Sequence, residues 1–66
     1  MDAKQIGMRI RTLRGDKSMQ EVSEDVGISC SALSMYENGE RIPRDEIKIK
    51  LASYFGTSVQ ALFYAD

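Results

Sequence analysis

Residues 18–39, SMQEVSEDVGISCSALSMYENG, constrain the fold most, because helix starts and stops follow one another too closely for anything but two short helices and a tight turn. Ser18 is a good N-cap, and Glu21 stands where a capping box needs its returning carboxylate, so the pattern predicts a helix from about Met19. Val22 and Val26, one turn apart, give it a narrow apolar stripe. Gly27 suits the left-handed conformation that ends a helix, Ile28 turns back toward the core, and Ser29 offers a second N-cap. A new helix therefore starts at Cys30. In it Leu33 and Tyr36 recur at helical spacing and face inward, which leaves Cys30, Ser31, Ser34 and Met35 on the outer surface. Asn38 and Gly39 close the unit. Two helices so short and so closely joined cross steeply instead of lying antiparallel.

Around this unit the chain supplies three more helical patterns. The first covers residues 2–14, with Ala3, Ile6, Ile10 and Leu13 on one face and the arginines on the others, and Gly15 stops it. After the loop of Glu40, Arg41, Ile42 and Pro43, a fourth helix begins near Arg44 or Asp45, since proline opens a helix but breaks its interior. Asp45 and Glu46 suit its N-terminal dipole. Its apolar stripe is Ile47, Leu51, Tyr54 and Phe55, bordered by Ala52, with Ile49 on another face and Lys48 inside the arc. Gly56 ends it, Ser58 caps a fifth short helix, and Val59, Leu62 and Phe63 form the inner side of that helix. The apolar tail, continuing through Tyr64, is the last piece of the core, half of a twofold interface, or both, with Leu62 inside and Phe63 or Tyr64 between subunits, so Leu62, Phe63 and Tyr64 are dimer candidates.

A chain of 66 residues is one domain, and at this size it buries only about 60% of the surface its unfolded form exposes, so a partner subunit would help it. One cysteine and no histidine remove disulfide frameworks, ordinary zinc sites and histidine-dependent catalysis. No phosphate-binding glycine loop or clustered carboxylates with ligand spacing appear either, so the expectation is no enzyme and no cofactor. The N-terminus has no apolar run and nothing reaches membrane-span length, which makes a cytoplasmic protein the default. Net charge is -1, but it is segregated. Lys4, Arg9, Arg11, Arg14 and Lys17 precede residue 18, residues 18–40 carry five acids and no Lys or Arg, and Arg41, Arg44, Lys48 and Lys50 follow. Basic residues can thus flank an uncharged helix, although a solvated surface of mixed sign gives the same composition.

With these residues in place, the chain resembles the phage-repressor type of helix-turn-helix regulator, the Cro/repressor or xenobiotic-response-element family, from about Ile6 to Phe63. The family has apolar residues at Val22, Val26, Ile28, Leu33 and Tyr36, glycine at Gly27, and serine, glutamate and glycine at Ser34, Glu37 and Gly39. Its closing pattern is similar to the phrase from Ala52 to Ser58. The resemblance implies an all-α fold, a compact lambda-repressor-like bundle of five short helices spanning residues 1–66, with the helix-turn-helix formed by helices 2 and 3. The chain departs from the family at Met19, where glutamine is usual, at Ser23, where alanine is usual, and at Asp45 and Lys48, where apolar residues are usual. Its loop at Gly15, Asp16 and Lys17 is also shorter.

A helix-turn-helix sets the N-terminal end of its second helix in the major groove. The resemblance therefore implies that Cys30, Ser31, Ser34 and Met35 read bases, through hydroxyl and thymine-methyl contacts in place of guanine-gripping arginines. Phosphate binding falls to the start of helix 2 at Met19 and Gln20, and to Asn38, Arg41, Arg44 and Arg14. Arg14 and Glu37 stand where relatives form a partly buried ion pair. The function implied is a homodimeric transcription regulator, a repressor, on a near-palindromic stretch of double-stranded DNA. The competing reading is a protein-interaction module with the same fold, such as an antitoxin or an accessory protein of a mobile element, favoured by the acidic balance and by Met19. Cys30, a lone thiol at a helix N-terminus, is read as a small reduced surface side chain ahead of a redox sensor.

Overall fold

A computed structural model describes residues 1–65 as five helices in chain order: α1 (Ala3–Arg14), α2 (Met19–Val26), α3 (Cys30–Glu37), α4 (Asp45–Phe55) and a closing π turn (Gln60–Tyr64). No strand occurs among the described residues. Local chemistry sets most of the boundaries. The Ser18 and Ser29 hydroxyls accept hydrogen bonds from Glu21 N and Ala32 N at 3.0 Å each, so α2 and α3 begin where their caps stand. Gly27, at φ 84°, ends α2, and Ser23 O accepts from both Gly27 N and Ile28 N at 2.9 Å. That pairing satisfies a free helix-end carbonyl and turns the chain into α3 within a few residues. Asp2 caps α1 by accepting from Lys4 N and Gln5 N, so it lies just outside the helix.

The core gathers Ile6, Ile10, Val22, Val26, Leu33, Tyr36, Leu51, Ala52, Leu62 and Phe63 from all five helices. On α1 the expected Ile6 and Ile10 are buried, and only the ends of the stripe differ. Leu13 is 41% exposed and Ala3 half-buried, while Gly7 is buried. The reason is steric: a Cβ at Gly7 would lie 2.6 Å from Tyr36 O and 2.8 Å from the Glu37 carbonyl carbon. With no side chain there, the last turn of α3 rests on the α1 backbone and rotates α1 toward it.

Helix α4 keeps its expected stripe, with its members in the core or packed against it. Leu51 and Ala52 are buried, whereas Ile47, Tyr54 and Phe55 are half-buried. Lys48, the charge inside the arc, buries its stem and carries its ammonium to the Tyr64 hydroxyl at 3.1 Å and to Asp45 at 3.5 Å, as long cationic side chains do at the edge of a core. The hydrogen bond to Tyr64, against the opposing effect of burial, holds its pKa above the ordinary lysine value.

Leu62 and Phe63 are only 2% and 1% exposed within the single chain. They face the core inside one subunit, as the core reading of the tail expects. Tyr64, 45% exposed, keeps a free face. The closing turn is held by Arg9 of α1, which donates to Leu62 O at 3.0 Å and to Ala65 O at 2.6 Å, supplying partners for terminal carbonyls that have none within the turn. Arg9→Ala should therefore loosen the C-terminal turn and lower stability by about 1–2 kcal/mol. Urea unfolding checks the loss, and faster amide exchange at residues 62–64 shows where it falls.

Candidate nucleic-acid interface

The outer side of the helix-turn-helix carries no cationic side chain of its own on α3, and the four expected base-reading residues differ in freedom. Cys30 and Ser31 are exposed, Ser34 and Met35 half-buried. Cys30 Sγ lies 3.1 Å from the hydroxyl of the buried Ser23, so its sulfur leans on α2 and Ser31 is left as the least engaged hydroxyl at the head of α3. The Ser34 hydroxyl meets the Asn38 amide nitrogen at 3.4 Å. Among the described residues no cluster of His, Cys, Asp or Glu is suited to a metal.

At the start of α2 the two expected phosphate binders are placed differently. Met19 is half-buried and packs its side chain against the core, which removes that side chain from the outer surface. What Met19 can offer an anion is its backbone N–H in the first helical turn, whose N–H groups lack intrahelical partners. The Gln20 side chain donates to Glu24 at 3.2 Å. Ser23 replaces the family's alanine and stays buried, its hydroxyl donating back to Gln20 O at 3.0 Å.

The far end of α3 is where the cations gather. Glu37 has 1% of its side chain exposed and accepts from Arg14 twice, Nε at 2.7 Å and a terminal nitrogen at 3.0 Å. The second terminal nitrogen of Arg14 donates to Lys17 O at 2.8 Å. The hydrogen bond to Glu37, opposed by burial and reinforced by the carboxylate charge, raises the Arg14 pKa. Arg11, which the sequence reading left without a role, also reaches Glu37 at 3.4 Å and donates to Asn38 Oδ1 at 3.0 Å. One carboxylate thus sits between two guanidiniums, and the group as a whole keeps a positive charge beside the C-terminal end of α3. A signal for Arg11 did exist: Gly7, Arg11 and Arg14 follow helical spacing and share the face that meets α3.

Gly39, at φ 73°, continues this edge. A Cβ there would lie 3.0 Å from Lys4 Cα, so the head of α1 packs on the loop after α3 and brings exposed Lys4 to the same edge. Arg41 and Arg44 are exposed in that loop, and Pro43 between them is fully buried, which pins the loop to the core. Two of the acids on α2 are engaged: Glu24 accepts from Gln20, and Asp25 accepts from the Tyr54 hydroxyl at 2.8 Å, which in turn accepts from Lys17 at 3.0 Å.

Comparison with known proteins yields three matches. The helix-turn-helix family matches residues 3–62. An uncharacterized HTH-type transcriptional regulator of Bacillus subtilis (strain 168), YvzC, is 33% identical over 54 residues, 82% of this chain and 70% of that protein. The crystal structure of the DNA-binding domain of BldD superposes with a TM-score of 0.76 at 29% identity, covering 92% of each chain.

Proposed function

We propose that this chain, which belongs to the Cro/repressor type of helix-turn-helix proteins, is the DNA-binding domain of a transcription regulator and acts as a repressor in the cytoplasm. It binds as a homodimer to a near-palindromic double-stranded operator, each α3 entering the major groove about one helical turn from its mate. The observation that carries this reading is the arrangement of α3: a serine-capped, uncharged head free to meet base edges, and a tail flanked by Arg11, Arg14, Asn38 and Arg41. Base contacts by Cys30, Ser31, Ser34 and Met35 are individually modest, so groove shape and half-site spacing supply much of the discrimination. Phosphates are met by the first turn of α2 at Met19 and Gln20, by Asn38 and Arg14, and by the loop arginines Arg41 and Arg44. For the second subunit, the exposed side of Tyr64 remains the candidate from the tail.

Selection from a random duplex library at low salt, followed by titration of the best site at several salt concentrations, tests the reading. A twofold-symmetric site with steep salt dependence supports it. Failure to enrich any duplex at micromolar protein favours a partner-binding module, for which the exposed Met8, Ile42 and Ile49 provide apolar contact points. Within the DNA reading, Arg41→Ala should weaken binding to all sequences alike and lower the salt slope by about 1. Substitution of Ser31 or Met35 should instead shift the sequence selected.

A further inference from the structure

The orientation of the Asn38 amide is decided by its neighbours. A guanidinium only donates, so the 3.0 Å contact with Arg11 fixes Oδ1 of Asn38 toward Arg11 and turns the NH2 group away from it. One of those two hydrogens points to Ser34 Oγ at 3.4 Å, and the other has no partner among the described residues. Arg11 is itself held by Glu37, whose second oxygen is taken by Arg14. Asn38 is exposed, so the end of α3 leaves one amide hydrogen open to a ligand and keeps its amide acceptor on Arg11. Phosphate oxygens accept and never donate, and such a donor suits them.

We propose that Arg11 is a positioning residue for DNA binding: by accepting no alternative orientation of Asn38, it aims the open amide N–H at a backbone phosphate. The inference rests on the DNA reading above and adds a residue that acts through another. Without Arg11 the amide rotates freely and spends part of its time with the carbonyl toward the phosphate.

A double-mutant cycle tests it. Arg11→Ala, Asn38→Ala and the double variant are titrated against the best duplex site, with folding of each checked by circular dichroism. Each single change should weaken binding by about tenfold, and the double variant should be clearly better than the product of the two losses, because Arg11 acts through Asn38. Losses that multiply to within about twofold overturn the proposal, and they identify Arg11 as an independent charge. Asn38→Asp supplies a second arm that does not depend on Arg11→Ala folding. Arg11 can hold the new carboxylate in place, yet that carboxylate offers phosphate no donor, so binding should fall further than in Asn38→Ala. Wild-type affinity in Asn38→Asp overturns the proposal. Absence of binding by the unmodified chain to any duplex overturns both this inference and the DNA reading, whereas binding without coupling overturns this inference alone.

Discussion

Replacing Gly7 with alanine should cost the fold about 3 kcal/mol or more, although helix propensity alone would favour alanine by about 1 kcal/mol. The methyl group would have to sit 2.6 Å from Tyr36 O and 2.8 Å from the Glu37 carbonyl carbon. Both are backbone atoms, so no side chain can swing aside, and relief requires α1 and the end of α3 to separate. A chain of this size has roughly 3–10 kcal/mol of stability in total, and each kcal/mol moves the midpoint of a small domain by about 4–8 °C. Thermal unfolding should therefore show a drop of at least about 10 °C, or no folded state. Gly27→Ala is the control. Gly27 has φ 84° but nothing within 4 Å of its missing Cβ, so alanine there meets only the left-handed backbone cost of about 1–2 kcal/mol. A gain in stability for Gly7→Ala of about 1 kcal/mol, as helix propensity alone would give, would mean that close packing at Gly7 contributes nothing.

That contact also shows which parts of the molecule were legible in the sequence. Ser18, Gly27, Ser29 and Gly56 marked helix ends correctly because capping is local, settled by residues within one turn of each other. The helix-turn-helix followed, and with it the family. Periodicity failed where the deciding partner lay elsewhere in the chain. Gly7 adds nothing to an apolar stripe, so the count over α1 found the buried Ile6 and Ile10 but extended the stripe to Ala3 and Leu13 and passed over Gly7, which the α3 backbone chose. Lys48 looked like an intruder in the α4 stripe because a residue count cannot separate its buried stem from its ammonium, which reaches Tyr64. Arg9 and Arg11 read alike as surface cations. The first holds the closing turn and the second the end of α3, through contacts 53 and 26 residues away in sequence. Leu62 and Phe63 were recognisable as apolar, but which surface they covered depended on how the closing turn docks.

The second large effect is expected at Glu37. Glu37→Ala should lose about 2–4 kcal/mol, measured by urea unfolding. Removing one member of a fully buried ion pair costs about 3–5 kcal/mol, and here the carboxylate is 1% exposed while its partners Arg14 and Arg11 are 19% and 57% exposed. The arginines can turn to water once the carboxylate is gone, which discounts the figure. The loss of side-chain volume beside the α1–α3 contact adds to it. Because Glu37 raises an arginine pKa already far above neutrality, the Arg14 part of this stabilisation is complete at neutral pH and is lost as pH rises into the strongly alkaline range. Glu37→Gln should fall between wild type and Glu37→Ala, since an amide keeps one acceptor but turns its nitrogen toward a guanidinium. A loss below about 1 kcal/mol for Glu37→Ala would make the group an ordinary surface pair. The same carboxylate braces the end of α3 and holds Arg11 and Arg14 in place, so stability and DNA affinity should fall together in Glu37 variants. In Arg41→Ala they should separate, because Arg41 stands exposed in the loop and the loss there should be confined to binding.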